Sequence, residues 1–211
     1  MNPFYFANPC GPAARQAMAD GLIGWIDTPN QGNIRPHGTR WCADNGCFND
    51  ANFDIGRWWR WLQKHDDIEH CVFATAPDVV GDAAATLTRS APWLPRIRSL
   101  GYPAAFVAQD GADQHPPPWD DFDVLFIGGT DHFKLGPVAQ QLIAEARDRG
   151  LWVHVGRVNS YRRFRAMEAL GCNSVDGTYL RFAPDANLAR LVGWVAALDA
   201  QPGMFTIGER P

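Results

Sequence analysis

Short apolar segments that end at an aspartate or a Gly-Gly pair recur along this chain, and a turn and a helical stretch follow each of them. Four such segments are WCAD ending at Asp44, CVFATAPD ending at Asp78, VLFIGG ending at Gly128 and Gly129, and CNSVD ending at Asp176. Strands that alternate with helices predict a parallel sheet, in which all the strands end at one edge. The chain is thereby restricted to α/β folds that bring these polar residues to a common face.

The alternation continues through most of the 211 residues. Strands are predicted at Phe4–Ala7, Leu22–Ile26, Arg40–Ala43, Cys71–Thr75, Ala104–Ala108, Val124–Ile127, Trp152–Val155 and Ser174–Val175. Helices are predicted at Pro12–Ala19, Ile55–Lys64, Asp82–Leu100, Pro137–Arg149, Ser160–Leu170 and Ala186–Leu198. Eight strands, mostly separated by helices, predict a single compact (β/α)8 TIM barrel, and a doubly wound open sheet is the alternative. We expect residues 1–200 to form the barrel and residues 201–211 to form a C-terminal tail.

Composition excludes several classes of protein. A hydrophobic content of 46% and a charged content of 20% are typical of a globular domain rather than a disordered chain. No segment reaches the roughly 18 apolar residues of a membrane helix, and the first residues lack the features of a signal peptide, so a cytoplasmic location is expected. The five cysteines are scattered, with no CxxC or paired histidine motif, and neither a metal nor a cofactor is expected.

Charge is unevenly distributed along the chain. The formal net charge of −4 argues against a protein that coats nucleic acid, but the stretch GRVNSYRRFRAME carries Arg157, Arg162 and Arg163. A local basic patch on an acidic protein fits contact with a polyanion at one surface. A solvated helix face is the alternative interpretation of this patch.

Carboxylates collected at the strand ends suggest a particular chemistry. Any single aspartate in a turn is commonly a helix cap. The residues after successive strands are nevertheless polar or small, namely Asp27, Asp44, Asp78, Gln109, Asp110, Gly128, Gly129, Gly156, Arg157 and Asp176. Two carboxylates in different environments are what cleavage of a glycosidic bond requires, one as the nucleophile and one as the general acid/base.

Six segments, in this order, resemble those of the tRNA-guanine transglycosylase superfamily, and most of all its short phage and bacterial members that act on DNA, known as DpdA. The segments are ADNGCF, TAPDVVGD, FVAQDG, FIGGT, HVGRVNS and SVDGT, and the resemblance spans about Trp25 to Arg181. It implies that Asp176 is the nucleophile and that Asp44 is the acid/base. It further implies that the base is bound by Asp78, Gln109, Gly128, Gly129 and Gly156.

The resemblance implies a DNA-guanine transglycosylase that exchanges guanine for a free 7-deazaguanine, such as 7-cyano-7-deazaguanine, through a covalent aspartyl-glycosyl intermediate. Arg157, Arg162 and Arg163 would hold phosphates near the pocket. The tRNA enzymes carry a zinc subdomain built on a C-x-C-x2-C…H motif after the nucleophile, and no cysteine follows Asp176 here. DNA is therefore the expected partner. A homodimer, or a partner protein that helps to hold the nucleic acid, is compatible with the sequence.

Three alternatives stay open at this point. The chain could be a tRNA-guanine transglycosylase despite the missing zinc motif. It could instead be a barrel enzyme that acts on a small phosphorylated substrate, because the turns after the seventh and eighth strands of such barrels often bind phosphate. It could also be a non-catalytic barrel that binds nucleic acid.

Overall fold

The computed structural model describes residues 2–48 and 53–199, and within them the strands close into a parallel barrel. The strands are β1 Phe4–Ala7, β2 Gly24–Asp27, β3 Trp41–Ala43, β4 Cys71–Thr75, β5 Ala104–Ala108, β6 Val124–Ile127, β7 Trp152–Val155 and β8 Ser174–Asp176. Each strand pairs with the next, and β8 pairs with β1. The predicted (β/α)8 TIM barrel is confirmed, and the open sheet is excluded. The predicted tail at 201–211 lies outside the described residues.

Helices surround the barrel. They are α1 Pro12–Ala19, α2 Ile55–Leu62, α3 Ala83–Ser90, α4 Leu94–Ser99, α5 Asp131–Leu135, α6 Pro137–Asp148, α7 Tyr161–Ala169 and α8 Pro184–Asp199, with short 3-10 turns at Ile68–His70 and Tyr179–Arg181. The single helix predicted over Asp82–Leu100 is two helices, since Pro92 and Pro95 cannot donate the backbone hydrogen bonds of a continuous one. The short helix α5 was not predicted. Its N-cap is Thr130, whose side chain accepts a hydrogen bond from the Phe133 amide.

Two apolar clusters form the core. The larger lies between the strands and the surrounding helices, and the smaller fills the barrel interior with Phe6, Ile26, Cys42, Phe73, Ala105 and Val124. Inward-facing residues alternate along each strand. In β7 the alternate residues Trp152 and His154 are associated with the interior cluster, and Ser174 lies beside His154 in the paired register of β8. A polar pair is therefore enclosed in an otherwise apolar interior.

The segment between β2 and β3 has no helix or strand, and a buried ion group holds it in place. Arg35 donates to Asp27 at 3.1 Å and to Asp67 at 2.6 Å, and all three side chains are 5–8% exposed. Its guanidinium also lies 3.7 Å from the ring centroid of Trp41. Asp27, which the sequence left without a role, thus joins the end of β2 to this segment.

No helix among the described residues combines the length and the apolar character that crossing a bilayer would require. All five cysteines lie in described parts of the chain and are free thiols, and four of them are buried.

Candidate functional site

A cavity of about 440 Å³ opens at the carboxyl ends of the strands. This volume is within the usual range for small-ligand sites. The predicted site residues that line it are Asp44, Asp78, Gln109, Gly128, Gly129, Gly156, Arg157 and Asp176. The fold therefore brings together eight residues that span more than 130 positions of sequence, whereas Arg162 and Arg163 do not line the cavity.

Asp176, the last residue of β8, is held by one donor on each carboxylate oxygen. The backbone N–H of Arg157 donates to Oδ1 at 3.1 Å, and His154 Nε2 lies 3.0 Å from Oδ2. Arg157 has a φ of 60°, a left-handed conformation that non-glycine residues seldom adopt. The turn after β7 is thus strained at the residue whose amide points at Asp176, which is a common property of functional turns. The side chain of Asp176 is 14% exposed and reaches the cavity.

Asp44 follows β3 on another wall of the cavity. The pKa of its carboxyl is raised to about 7, chiefly by burial and in smaller part by the nearby charges of Asp176 and Asp78, although a hydrogen bond from the Gly46 amide acts in the opposite direction. A carboxyl group with a pKa near neutrality is suited to give and take a proton. The two carboxyl groups of the predicted pair thus lie in different environments.

The raised pKa of Asp44 predicts a change of stability with pH. The folded protein binds this proton more tightly than the unfolded chain does, so the free energy of unfolding falls as pH rises from about 4 to about 7. Asp44→Asn removes the ionisable group. We expect the variant to be more stable than the wild type at pH 8, and to lose most of this advantage at pH 5, in thermal unfolding followed by circular dichroism. An equal difference at both pH values would contradict the shift.

Asp78 is 6% exposed and accepts hydrogen bonds from two side-chain amides. Asn45 Nδ2 donates to Oδ1 at 2.8 Å, and Gln109 Nε2 donates to Oδ2 at 2.6 Å. Burial raises the pKa of Asp78, and the two amides lower it in part. The other end of the Gln109 amide accepts from the Gly81 N–H at 2.9 Å. Gln109 therefore holds Asp78 in place, with both ends of its amide engaged, and Asn45 is a second support that the sequence did not reveal.

The glycines at the cavity wall have little space around them. A Cβ on Gly128 would lie 2.6 Å from Val107 Cγ1 and 2.9 Å from Gln109 Nε2, closer than real side chains approach. Gly129 has a φ of +73°, which other residues rarely adopt. Gly156 lines the same cavity, and its Cβ would lie 2.8 Å from the Phe126 ring. A side chain at any of these positions would displace the wall of the cavity.

The three predicted nucleic-acid-binding arginines have different surroundings. Arg157 is exposed at the cavity, and its guanidinium lies 4.1 Å from the ring centroid of Phe48. Arg163 makes a two-pronged ion pair with Asp131, with N···O distances of 2.6 and 3.3 Å. Arg162 is exposed on α7. Of the three, Arg157 is in the position to meet a ligand in the cavity.

Lys134 and Phe48 belong to the site although the sequence did not single them out. Lys134 is 4% exposed, lines the cavity from α5, and makes an ion pair with Asp131 at 3.3 Å. Burial and the neighbouring Arg157 lower the pKa of its amine. Phe48 is 70% exposed at the cavity. Phe48 could have been found from the sequence, because it lies a few residues after the end of a predicted strand. Lys134 could not, because it reaches the cavity from α5, a helix that was not predicted.

The described residues contain no group of three or more His, Cys, Asp or Glu that could hold a metal ion.

Comparison with known proteins identifies no family. No family model matches the sequence, and no curated protein matches it. Similar solved structures include PaMucR phosphodiesterase in complex with c-di-GMP (14% identity, TM-score 0.44, 79% of this chain and 64% of that chain). Another is a protein of Burkholderia cenocepacia J2315 provisionally described as a lyase/mutase (18% identity, TM-score 0.45, 96% and 89%). A third is a Silicibacter pomeroyi DSS-3 protein, provisionally described as a glycerophosphoryl diester phosphodiesterase (14% identity, TM-score 0.39, 85% and 56%).

This chain spans less than two thirds of the first and third of these structures. None of the three is described as a transglycosylase. At such identities and TM-scores the similarities carry no information about the chemistry of the site, which has to be argued from the residues themselves.

Proposed function

We propose that this protein is an enzyme of the guanine transglycosylase type, which exchanges a guanine base in DNA for a free 7-deazaguanine. The observation that carries the proposal is the pair of carboxyl groups in one cavity. Asp44 has a pKa of about 7, and Asp176 is held by a donor on each oxygen. Carboxyl groups whose environments differ in this way are suited to divide the roles of proton carrier and nucleophile.

In the first step Asp176 attacks C1′ of the target nucleotide. A C–O bond forms between the carboxylate and the sugar, and the C1′–N9 bond breaks, with its electron pair leaving on guanine. Protonated Asp44 supplies a proton to the departing base, so that neutral guanine leaves and Asp44 becomes a carboxylate. The product is a glycosyl ester of Asp176.

In the second step the incoming base reverses these changes. The 7-deazaguanine occupies the place of guanine and gives its N9–H proton to the Asp44 carboxylate. The freed electron pair attacks C1′, and the ester bond breaks with its electrons returning to Asp176. Two displacements at one carbon retain its configuration. Both carboxyl groups end in the protonation state in which they began.

The part of the cavity wall around Asp78 suits the flat, polar edge of a purine. The Asp78 carboxyl group can accept hydrogen bonds from the N1–H and amino groups that guanine and 7-deazaguanine share, and two amides fix its orientation. Phe48 offers an exposed ring on which a base can stack. The target nucleotide has to leave the helix stack, which costs a few kcal/mol.

A substrate larger than one base fits the surroundings of the cavity. A second cavity, of about 530 Å³, shares with the first the residues Asn8, Thr28, Gly177, Thr178 and Arg181. Lys134, Arg157 and Arg181 are the cations that line the first cavity. A nucleotide in the first cavity could therefore continue as a strand into the second, with its phosphates near the cations.

A small phosphorylated substrate is the second candidate, and the same three cations favour it. Lys134 in particular is an almost completely buried amine beside the turn that follows β7. Against it, Asp44, Asp78 and Asp176 line the same cavity, and carboxylates repel a phosphate dianion. We therefore rank it below base exchange.

Incubation of the purified chain with radiolabelled guanine tests the proposal. We expect label to enter DNA in exchange for the resident guanine, and candidate 7-deazaguanines to replace it irreversibly, as measured by mass spectrometry of the nucleosides. Parallel reactions contain duplex DNA, single-stranded DNA and tRNA. Label in tRNA alone would favour the RNA enzyme, and label in no nucleic acid, with the fold intact by circular dichroism, would rule out transglycosylation.

A further inference from the structure

His154 is a completely buried histidine inside the barrel that the mechanism above does not use. Its exposure is 0%, and the ring centroids of Phe126, Phe73 and Phe6 lie 4.5, 4.8 and 6.0 Å from its own. Its two nitrogens nevertheless have close polar partners. Nδ1 lies 2.8 Å from Ser174 Oγ, and Nε2 lies 3.0 Å from Asp176 Oδ2. An imidazole in an apolar cage with both nitrogens engaged is fixed in position.

The partners also determine which nitrogen carries the proton. Trp152 Nε1, which can only donate, lies 2.8 Å from Ser174 Oγ, so this oxygen accepts from the indole. Ser174 is fully buried, and within the described residues His154 Nδ1 is the one acceptor near its hydroxyl. The hydroxyl hydrogen therefore goes to Nδ1. In a neutral imidazole the remaining proton is then on Nε2, where it is donated to Asp176.

The register of β7 against β8 explains why these hydrogen bonds form a continuous series from Trp152 to Asp176. Trp152 and His154 are alternate residues of β7, Ser174 and Asp176 are alternate residues of β8, and His154 is paired with Ser174. Side chains two apart on a strand point to the same face. The hydrogen bonds therefore rise from Trp152 through Ser174 and His154 to the carboxylate at the barrel mouth.

We propose that His154 is a positioning residue that acts through Asp176, with Ser174 and Trp152 holding it in the Nε2–H tautomer. This inference rests on the nucleophilic role proposed above for Asp176. The N–H donor keeps one oxygen of the attacking carboxylate in place. When the ester forms, the same N–H can donate to its carbonyl oxygen. It then stabilises the negative charge that returns to Asp176 as the ester breaks.

Other groups also act on Asp176 and have to be held constant in any test. These groups are Cys42 of β3, Asp44 directly after β3, Tyr5 of β1, Lys134 of α5 and Arg157 of the turn after β7. The substitutions chosen below leave all of them unchanged.

Three variants separate the effect of the His154 N–H donor from the effect of the space that its ring fills. His154→Phe keeps an aromatic ring in the cage but removes both nitrogens, and His154→Gln keeps an amide donor that can reach Asp176. Ser174→Ala leaves the imidazole but removes the group that selects its tautomer. The measured rate is formation of the covalent protein–DNA adduct in a single turnover without incoming base, from pH 5 to pH 9.

We expect His154→Phe to slow adduct formation about 10- to 100-fold, the size of effect that follows when a metal-binding side chain loses its outer hydrogen-bond partner. The acid limb of its rate profile should move to higher pH, because an undonated carboxylate takes up a proton more readily. His154→Gln should recover most of the rate, and Ser174→Ala should lose less than His154→Phe. A role in packing alone predicts unchanged pH profiles and no recovery in His154→Gln, and that result would overturn the proposal.

The tautomer itself is measured separately by long-range ¹⁵N–¹H NMR on the wild type and Ser174→Ala. We expect the wild type to show Nε2–H and the variant to show a mixture. An Nδ1–H wild type would overturn the inference whatever the activity. A wild type that forms no adduct, yet shows Nε2–H and a carboxyl ¹³C signal of Asp176 that titrates at higher pH in His154→Phe, would remove the proposed function and leave the positioning role standing. If the wild type forms no adduct and the Asp176 carboxyl signal is also the same in wild type and His154→Phe, both the proposed function and the positioning role of His154 are ruled out.

Discussion

Asp176→Asn is expected to lower base exchange more than about 10³-fold and to abolish the covalent adduct, because loss of a nucleophile removes the step on which all others depend. The amide has no negative charge with which to attack C1′. The change preserves the volume of the side chain, which is 14% exposed at the cavity. Under the proposed function, the affinity for DNA, measured by fluorescence anisotropy, should therefore stay within about tenfold of wild type, since the cations proposed to contact phosphate are unchanged.

Asp110→Asn is the matched control for this loss. Asp110 also follows a barrel strand, but its carboxylate accepts from the amide and hydroxyl of Thr130, and it is not among the residues that line the cavity. Its variant should retain exchange within a few fold. An Asp176→Asn protein that still exchanges bases, or an adduct that maps to another residue, would show that the nucleophile has been misassigned.

Arg35→Ala is expected to cost about 3–5 kcal/mol of the free energy of unfolding, the largest effect on stability among the substitutions considered. Its guanidinium faces the side chains of Asp27 and Asp67, which are 8% and 6% exposed, and its removal leaves both carboxylates without their cation. For a chain of this size the melting temperature should fall by roughly 10 °C. Chemical denaturation at pH 8 gives the free energy, and differential scanning calorimetry gives the melting temperature.

The deficit of Arg35→Ala should shrink as pH falls. Burial already raises the pKa of Asp27 against the attraction of Arg35, and loss of the arginine raises it further. A carboxyl group with a folded-state pKa above its unfolded value destabilises the fold increasingly as pH rises from the unfolded toward the folded-state pKa, so the variant should be closest to wild type near pH 4, about the unfolded value. Arg149→Ala breaks an exposed pair with Glu145 and should cost less than about 1 kcal/mol. Equal costs for the two variants would contradict a special role for Arg35.

The barrel could be predicted from the sequence because its strands are short, apolar and bounded by turn residues. β1, β4, β5, β6 and β7 occur at the predicted positions, and the others differ by one or two residues. The errors have local causes. Prolines divide the helix predicted at Asp82–Leu100, and α5 is too short to show helical periodicity. The exact end of a helix or strand depends on its terminal backbone hydrogen bonds and on helix capping, which the pattern of apolar residues does not show.

Site residues that directly follow a strand could be predicted from the sequence. Site residues that lie within a strand were harder to predict. Asp44, Asp78 and Asp176 could be assigned to one face because parallel strands end together. His154 is inside a strand whose other residues are apolar, and only the register of β7 against β8 shows that it meets Asp176. Arg163 forms an ion pair with Asp131, which lies in α5. Because this helix was not predicted, the sequence could not show that Arg163 is paired there and does not line the cavity.

The buried ion group around Arg35 has a consequence for how fast a substrate can be captured. It anchors the segment that carries Asn30, Gln31 and Asn33, which line the second cavity described above, next to the one that holds Asp44 and Asp176. Because buried ion pairs hold this wall against the barrel, it has its final shape before a ligand binds. Little conformational entropy is then lost on binding. Association should then behave as a docking of preformed surfaces. Under the function proposed above, extrusion of the target base, rather than ordering of this wall, should be the slow conformational event.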